Sequence, residues 1–279
     1  MKPTQFAGDV LTRFRRYRAV ILAVLAIVAV SGLGAWRYWR AWSTEFAPTY
    51  VAADSVLRAQ PLYFYPSTTA HPRAFIFFFG NDVAFWQPHQ VLAHRLSRDG
   101  YSVVGLDLRQ VLAVLPSTSV EARESSFTAV IGPLIARARR ELSADSLPIV
   151  LAGHSFGAEI ALWLAMHQPP PKLAGVMAMS TRGSGHFFVT PGDWSGDEAS
   201  GPGSFSTVAL VHDIPPTIRI AVVRGKDDGF AKWDSTFARV GGRRYRRFVI
   251  PFTGHSIRHL TFAGPFIERA MTFLTESSP

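Results

Sequence analysis

Three groups of residues in this chain carry the chemistry needed to turn an alcohol into a nucleophile. Ser155 stands within Gly153-His154-Ser155-Phe156-Gly157, after an apolar run from Ile149 to Ala152 and before a helical pattern that begins near Phe156. A serine on a sharp strand-to-helix turn is held in a strained conformation, so the residues two positions either side must lack bulk. Glycine meets that demand. The turn aims the hydroxyl at a helix N-terminus, where free N–H groups and the helix dipole favour a developing negative charge. A serine hydroxyl is a weak nucleophile until a base removes its proton, and the base needs a carboxylate to orient it. On this kind of scaffold the partners follow in the order serine, acid, histidine, each just past the C-terminal end of a strand. The chain offers Asp227-Asp228 after a strand expected at Thr217–Arg224, and His255 after one expected at Arg246–Pro251. One oxyanion donor is the N–H of Phe156, directly after the nucleophile.

The elements that must position these groups are legible as an alternation. Ala74–Phe79 is a continuous apolar run that suits a strand buried on both faces, and Trp86–Arg98 follows with helical spacing. Tyr101–Asp107 is the next strand, 121–142 a long helix, and Ile149–Ala152 the strand leading to Ser155. Beyond it come a helix to His167, a strand at Leu173–Met179, a helix at Phe230–Val240 and a closing helical region at Ile257–Thr275. Residues 37–73 read as a linker with edge strands at Ser55-Val56-Leu57 and Leu62–Tyr65, broken by Pro61, Pro66 and Pro72. The Gly-, Ser- and Pro-rich stretch 180–214 is too long for an ordinary connection and sits where a substrate-contacting cap would lie. Strands alternating with helices predict an α/β fold, a mostly parallel central sheet with helices on both faces.

On these residues the chain resembles the α/β-hydrolase fold family over nearly all of 74–275, within a core expected to span 74–279. That resemblance implies Asp228 as the triad acid, because the family's acid commonly lies three residues past a glycine ending its strand, here Gly225; Asp227 is the near rival. It implies His255 as the base, following Gly254, ahead of His259 within the final helix. The second oxyanion donor it implies is the N–H of Asn81, with Asp82 the alternative; Phe79 replaces the histidine frequent in that loop. A narrower resemblance is to the bacterial VirJ-type virulence proteins. It is carried by Phe79-Gly80-Asn81-Asp82-Val83-Ala84-Phe85-Trp86, Gly105-Leu106-Asp107-Leu108-Arg109, the 153–159 segment and His186–Trp194. Val83-Ala84 departs from the glycine pair common in that group. The resemblance implies an extracytoplasmic protein associated with hydrolysis of lysyl-phosphatidylglycerol.

Several further polar residues read as structural. Asp107 is expected to fix its turn through Arg109, His154 to pack beside the strand, and Glu159 to suit the dipole of the elbow helix. His89 and His94 are five apart, on different helix faces, and show no metal-ligand spacing. Arg243-Arg244-Tyr245-Arg246-Arg247 is a basic loop entering a strand, or a contact for anionic lipid headgroups.

Composition narrows the class. The chain has 279 residues, 48% hydrophobic, with no cysteine, which excludes disulfides, thiolate zinc sites and a cysteine nucleophile. The net charge of +9 is concentrated: residues 1–45 hold five of it, Lys2 and six arginines against Asp9 and Glu45. What remains is modest, and no nucleic-acid motif accompanies it. Residues 1–18 form a basic tail, and 19–36 contain no charged residue, the length of a bilayer-crossing helix. Arg13, Arg15, Arg16 and Arg18 outweigh Arg37 and Arg40, so the tail should stay cytoplasmic and the rest face outward, with Tyr17, Trp36, Tyr38, Trp39 and Trp42 at the interfaces. A cleaved signal peptide is the alternative, with a weak site at Gly34-Ala35. The expectation is a single-pass bacterial inner-membrane serine hydrolase with a periplasmic domain. It would need no cofactor or metal and would act on an ester, aminoacyl phosphatidylglycerol by the narrower resemblance. The alternatives are a generic lipase or carboxylesterase, and a non-catalytic envelope binding protein on the same scaffold.

Overall fold

The computed structural model describes residues 17, 18, 20–36, 46–48, 50–116, 119–256 and 263–276. The chain divides into two units, Met1–Ala47 and Pro48–Pro279. In the first, residues 20–36 are helical (α1) and exposed along their length. Among the described residues no helix is long and apolar enough to cross a membrane. The expected anchor at 19–36 is therefore not shown as a spanning helix; residue 19 and both arginine-bearing flanks, apart from Arg18, lie outside the described residues.

The second unit is built on a seven-stranded sheet in the order β1-β3-β2-β4-β5-β8-β9. β1 (Leu62–Tyr65) runs antiparallel to β3 (Tyr101–Leu106), whereas β2 (Ala74–Phe79), β3, β4 (Ile149–His154), β5 (Leu173–Met179), β8 (Arg219–Gly225) and β9 (Tyr245–Ile250) are all parallel. Side chains alternate across a strand, so the unbroken run in β2 feeds two cores at once. Phe75, Phe77 and Phe79 join one cluster, Ile76 and Phe78 the other, and all are fully buried. Burying each such side chain contributes about 2–3 kcal/mol, which anchors the strand beside β4. The first cluster is closed by α5 (Val120–Glu141), α6 (Phe156–His167), α8 (Thr207–Asp213) and α9 (Asp234–Gly241). The second is closed by α3 (Gln87–Arg98) and α10 (Gly264–Thr275).

Several expectations are corrected by local chemistry. Ser55-Val56-Leu57 is not a strand but the start of a short helix, α2 (Ser55–Arg58), because the Asp54 carboxylate caps it by accepting from the N–H groups of Val56 and Leu57. Asp107 likewise caps an unforeseen helix, α4 (Leu108–Ala113): its carboxylate accepts from the Gln110 N–H at 3.1 Å, and Arg109 takes no part. The closing helix begins at Gly264, and residues 257–262, which include His259, lie outside the described residues. The 180–214 stretch is also shorter as a cap than expected. Its last part, α8, packs against α6 and α9 as a layer of the domain. What projects is the β6–β7 pair (Ser184–Gly185, Phe205–Ser206) with α7 (Pro191–Ser195) between them.

His89, on α3, is fully buried among the rings of Phe78, Phe85, Trp86 and His154. Burial, and then His154, hold its imidazole neutral far below the usual range. The unfolded chain would bind a proton there at about pH 6.5 while the folded chain would not, so stability falls as pH drops below that value, by about 1.4 kcal/mol per pH unit for one such group. Urea denaturation of His89→Phe between pH 5 and 8 should show a shallower loss of stability on the acid side than the parent.

Candidate active site

β4 ends in a turn that places Ser155 at φ 52°, ψ −122°, a conformation a side-chain-bearing residue rarely adopts. The strain is enforced by backbone contacts on both sides. A Cβ on Gly153 would meet the carbonyl oxygen of Gly157 at 2.1 Å, and a Cβ on Gly157 would meet that of Gly80 at 2.2 Å. The strand, the helix start and the loop after β2 therefore touch through bare backbone. Phe156 opens α6, and the Asn81 side chain folds onto its own loop, accepting from the N–H groups of Val83 and Ala84 at 3.1 and 3.2 Å. That turn and the Gly80–Gly157 contact bring the main chain around Asn81 beside the start of α6.

The other two predicted residues arrive from the ends of β8 and β9. His255 Nε2 lies 3.0 Å from Ser155 Oγ, and His255 Nδ1 lies 3.3 Å from Asp228 Oδ1. Asp228 is buried, whereas Asp227 is exposed and engages the loop through its N–H, donated to Thr253 O at 2.9 Å. Asp228 also accepts from the Phe230 N–H at 3.0 Å and from Arg224, a fully buried guanidinium, at 3.3 Å. Burial pushes the Asp228 carboxyl up, but His255, the Phe230 N–H and Arg224 together outweigh it and bring it down to about 2. Arg224 in turn pairs with Asp234 at 2.8 Å, and Asp234 with Arg247 at 3.1 Å. One arginine of the basic cluster is thus tied into the foundation of the site. Arg244 is spent as well, donating to the carbonyls of Val211 and His212.

Sequence reasoning missed the network on the opposite side of Ser155. Glu159, in the first turn of α6, does more than complement the dipole. It is fully buried and accepts from Arg182 Nε and Nη2 at 2.7 and 2.8 Å. Arg182 Nη1 reaches Asp193 of α7 at 2.8 Å, and Asp193 also pairs with His186 Nε2 at 2.9 Å. Burial works against the charge on Arg182, but Glu159 and Asp193 hold its proton on firmly. The spacing of Glu159, Arg182 and Asp193 carries no local periodicity, and only the fold brings them together. The network seats α7 over the elbow helix, with the His186 ring 5.6 Å from that of Phe156. Asp82, buried in the loop after β2, also faces this side: burial pushes its carboxyl up, and its charged neighbours are Asp193, Arg182 and His255. Among the described residues no group of three or more His, Asp and Glu is placed to hold a metal ion.

No protein-family model matches this chain, and no curated protein matches it. Solved structures do. A soluble variant of monoglyceride lipase from Saccharomyces cerevisiae, in complex with a substrate analogue, is 14% identical over 83% of this chain and 100% of its own, with a TM-score of 0.54. A thermostable carboxyl esterase from Bacillus coagulans is 12% identical over 81% and 96%, with a TM-score of 0.54. Est1E from Butyrivibrio proteoclasticus is 11% identical over 77% and 94%, with a TM-score of 0.53. At these identities the likeness is one of fold, and the fold is that of the α/β-hydrolases.

Removing one partner of a buried ion pair strands the other in low dielectric, at a cost of about 3–5 kcal/mol. Glu159→Gln should therefore lower the thermal midpoint far more than Arg246→Gln, an exposed position, when both are followed by calorimetry of the full chain.

Proposed function

We propose that this chain is a serine hydrolase that cleaves a carboxylic ester. The observation that carries the reading is the continuous contact from Ser155 through His255 to Asp228, mounted on a strained elbow. In this mechanism Ser155 Oγ attacks the substrate carbonyl as His255 Nε2 takes its proton. His255 Nδ1–H donates to Asp228, which fixes the tautomer and stabilises the imidazolium. The N–H groups of Phe156 and Asn81 receive the oxyanion. His255 then returns the proton to the leaving alcohol, and water, deprotonated by the same imidazole, releases the acyl group.

The finer reading is a membrane-associated enzyme acting on a lipid ester, with aminoacyl phosphatidylglycerol as the preferred class. The uncharged 19–36 stretch between arginine-bearing flanks supports tethering to a bacterial inner membrane with the catalytic unit in the periplasm. The VirJ-like segments support the aminoacyl class, and so does Asp82. It is a buried carboxylate on the site's side, with no salt bridge among the described residues, and suited to receive a substrate ammonium group. A generic lipase or esterase is the second reading, favoured by apolar residues exposed on the loop after β9 and on α7. Phe252 is 93% exposed and Trp194 60%. The names of the structural neighbours, a monoglyceride lipase and a carboxyl esterase, point the same way.

A fluorophosphonate probe should label detergent-purified protein, and Ser155→Ala should abolish the labelling. Asp228→Asn should reduce turnover by about 10⁴-fold, because the histidine then takes the wrong tautomer, whereas Asp227→Asn should stay near the parent. A well-folded parent that takes no label would shift the weight to a binding protein on a hydrolase scaffold. Competing aminoacyl and fatty-acyl lipid esters, with Asp82→Asn alongside, separates the two substrate classes.

A further inference from the structure

His154 is the residue of the elbow motif that the mechanism leaves unused. It ends β4, one residue before the nucleophile, and its side chain is buried on the face covered by α3. Its Nε2 lies 3.0 Å from the main-chain carbonyl oxygen of His255. A carbonyl only accepts, so Nε2 carries the hydrogen and Nδ1 is left as a buried lone pair, for which no partner is present among the described residues. Leaving a buried polar atom unpaired costs about 1–3 kcal/mol. An apolar ring would fill the same space beside His89 without that cost, and what it would lack is the donor to His255.

We infer that His154 is a positioning residue for the catalytic base: its Nε2–H holds the main chain of His255, and so sets the imidazole against Ser155 and Asp228. The inference rests on the Ser155–His255–Asp228 reading. The donor ends the strand that leads directly into the Ser155 turn, so the hydrogen bond fixes the base's loop against the serine it serves. The rest of the loop is held from other directions. Asp227 N–H donates to Thr253 O at 2.9 Å, and Thr253 Oγ1 to Ile250 O at 3.0 Å. The titratable and charged groups around His154 are His89 on α3, Arg224 on β8, and His255 and Asp228 on the loops. Burial, then the neighbouring His255, bring the His154 imidazole down to about 4, so it is a neutral donor throughout the working range. A second cation there, with ring centroids 5.5 Å apart, would oppose the imidazolium that forms on His255.

The test compares His154→Phe, which keeps a ring but has no donor, with His154→Gln, which returns an N–H at similar reach. Both are made in the full chain in detergent micelles and assayed on a water-soluble ester from pH 5 to 9. A base displaced by about 1 Å costs on the order of 10²-fold. The Phe variant should lose about that much in kcat with KM within threefold at every pH. The Gln variant should recover kcat to within about tenfold of the parent. Amide hydrogen exchange over 251–256 should quicken in the Phe variant and return to the parent rate in the Gln variant. Parent-like kcat and exchange in the Phe variant would overturn the inference. So would equal losses in both variants that track thermal stability alone. Exchange does not depend on turnover, so a parent that hydrolyses no ester would defeat the triad reading while the loop measurement still decided the role of His154.

Discussion

Everything at this site depends on three stretches of backbone meeting without side chains between them. Gly153 on β4, Gly157 in the first turn of α6 and Gly80 after β2 are packed so closely that a single methyl group on either elbow glycine would collide with a carbonyl. That closeness turns the chain through the left-handed conformation at Ser155, and it brings the loop bearing Asn81 against the helix start bearing Phe156. The position of Ser155 and that of the proposed oxyanion donors are thus products of one contact. The stiff phenylalanine-rich β2, buried on both faces, holds one side of it in place.

Around that contact the charged groups are arranged as foundations. Arg224 touches Asp228 and Asp234, and Asp234 takes Arg247 from the basic run. Beside Ser155, Glu159, Arg182 and Asp193 link the elbow helix to α7. Buried ion pairs contribute little net stability when set against apolar replacements of the same shape. Their effect here is geometric: one ties the Asp228 loop to α9 and β9, the other ties α6 to α7.

Much of this is legible in the amino-acid sequence alone. The alternation of apolar runs with helical spacing places the parallel strands, and β5 begins and ends where the pattern of Leu173–Met179 does. The Gly-x-Ser-x-Gly spacing locates the elbow, since only glycine fits such backbone approaches. Other features are hidden because side-chain hydrogen bonds outrank propensity over short distances. Asp54 and Asp107 each start a helix where a strand or a turn is expected. The choice between Asp228 and Asp227 needs the direction of a side chain, which adjacent identical residues cannot reveal. Glu159 looks like an ordinary first-turn carboxylate because its partner lies more than twenty positions along the chain, and the same distance conceals where the cap ends and α8 begins.

The Glu159–Arg182–Asp193 chain also shapes how this sequence can diverge. The three residues share one buried charge balance, so exchanging any one of them leaves the others wrong. The surface of α7 facing solvent is under no such restriction, as the exposure of Trp194 shows. Sequences descending from this one can vary the outer face of the cap freely while its inner seat changes only in concert. The outer surface of this segment can then be remodelled on a buried seat that stays fixed.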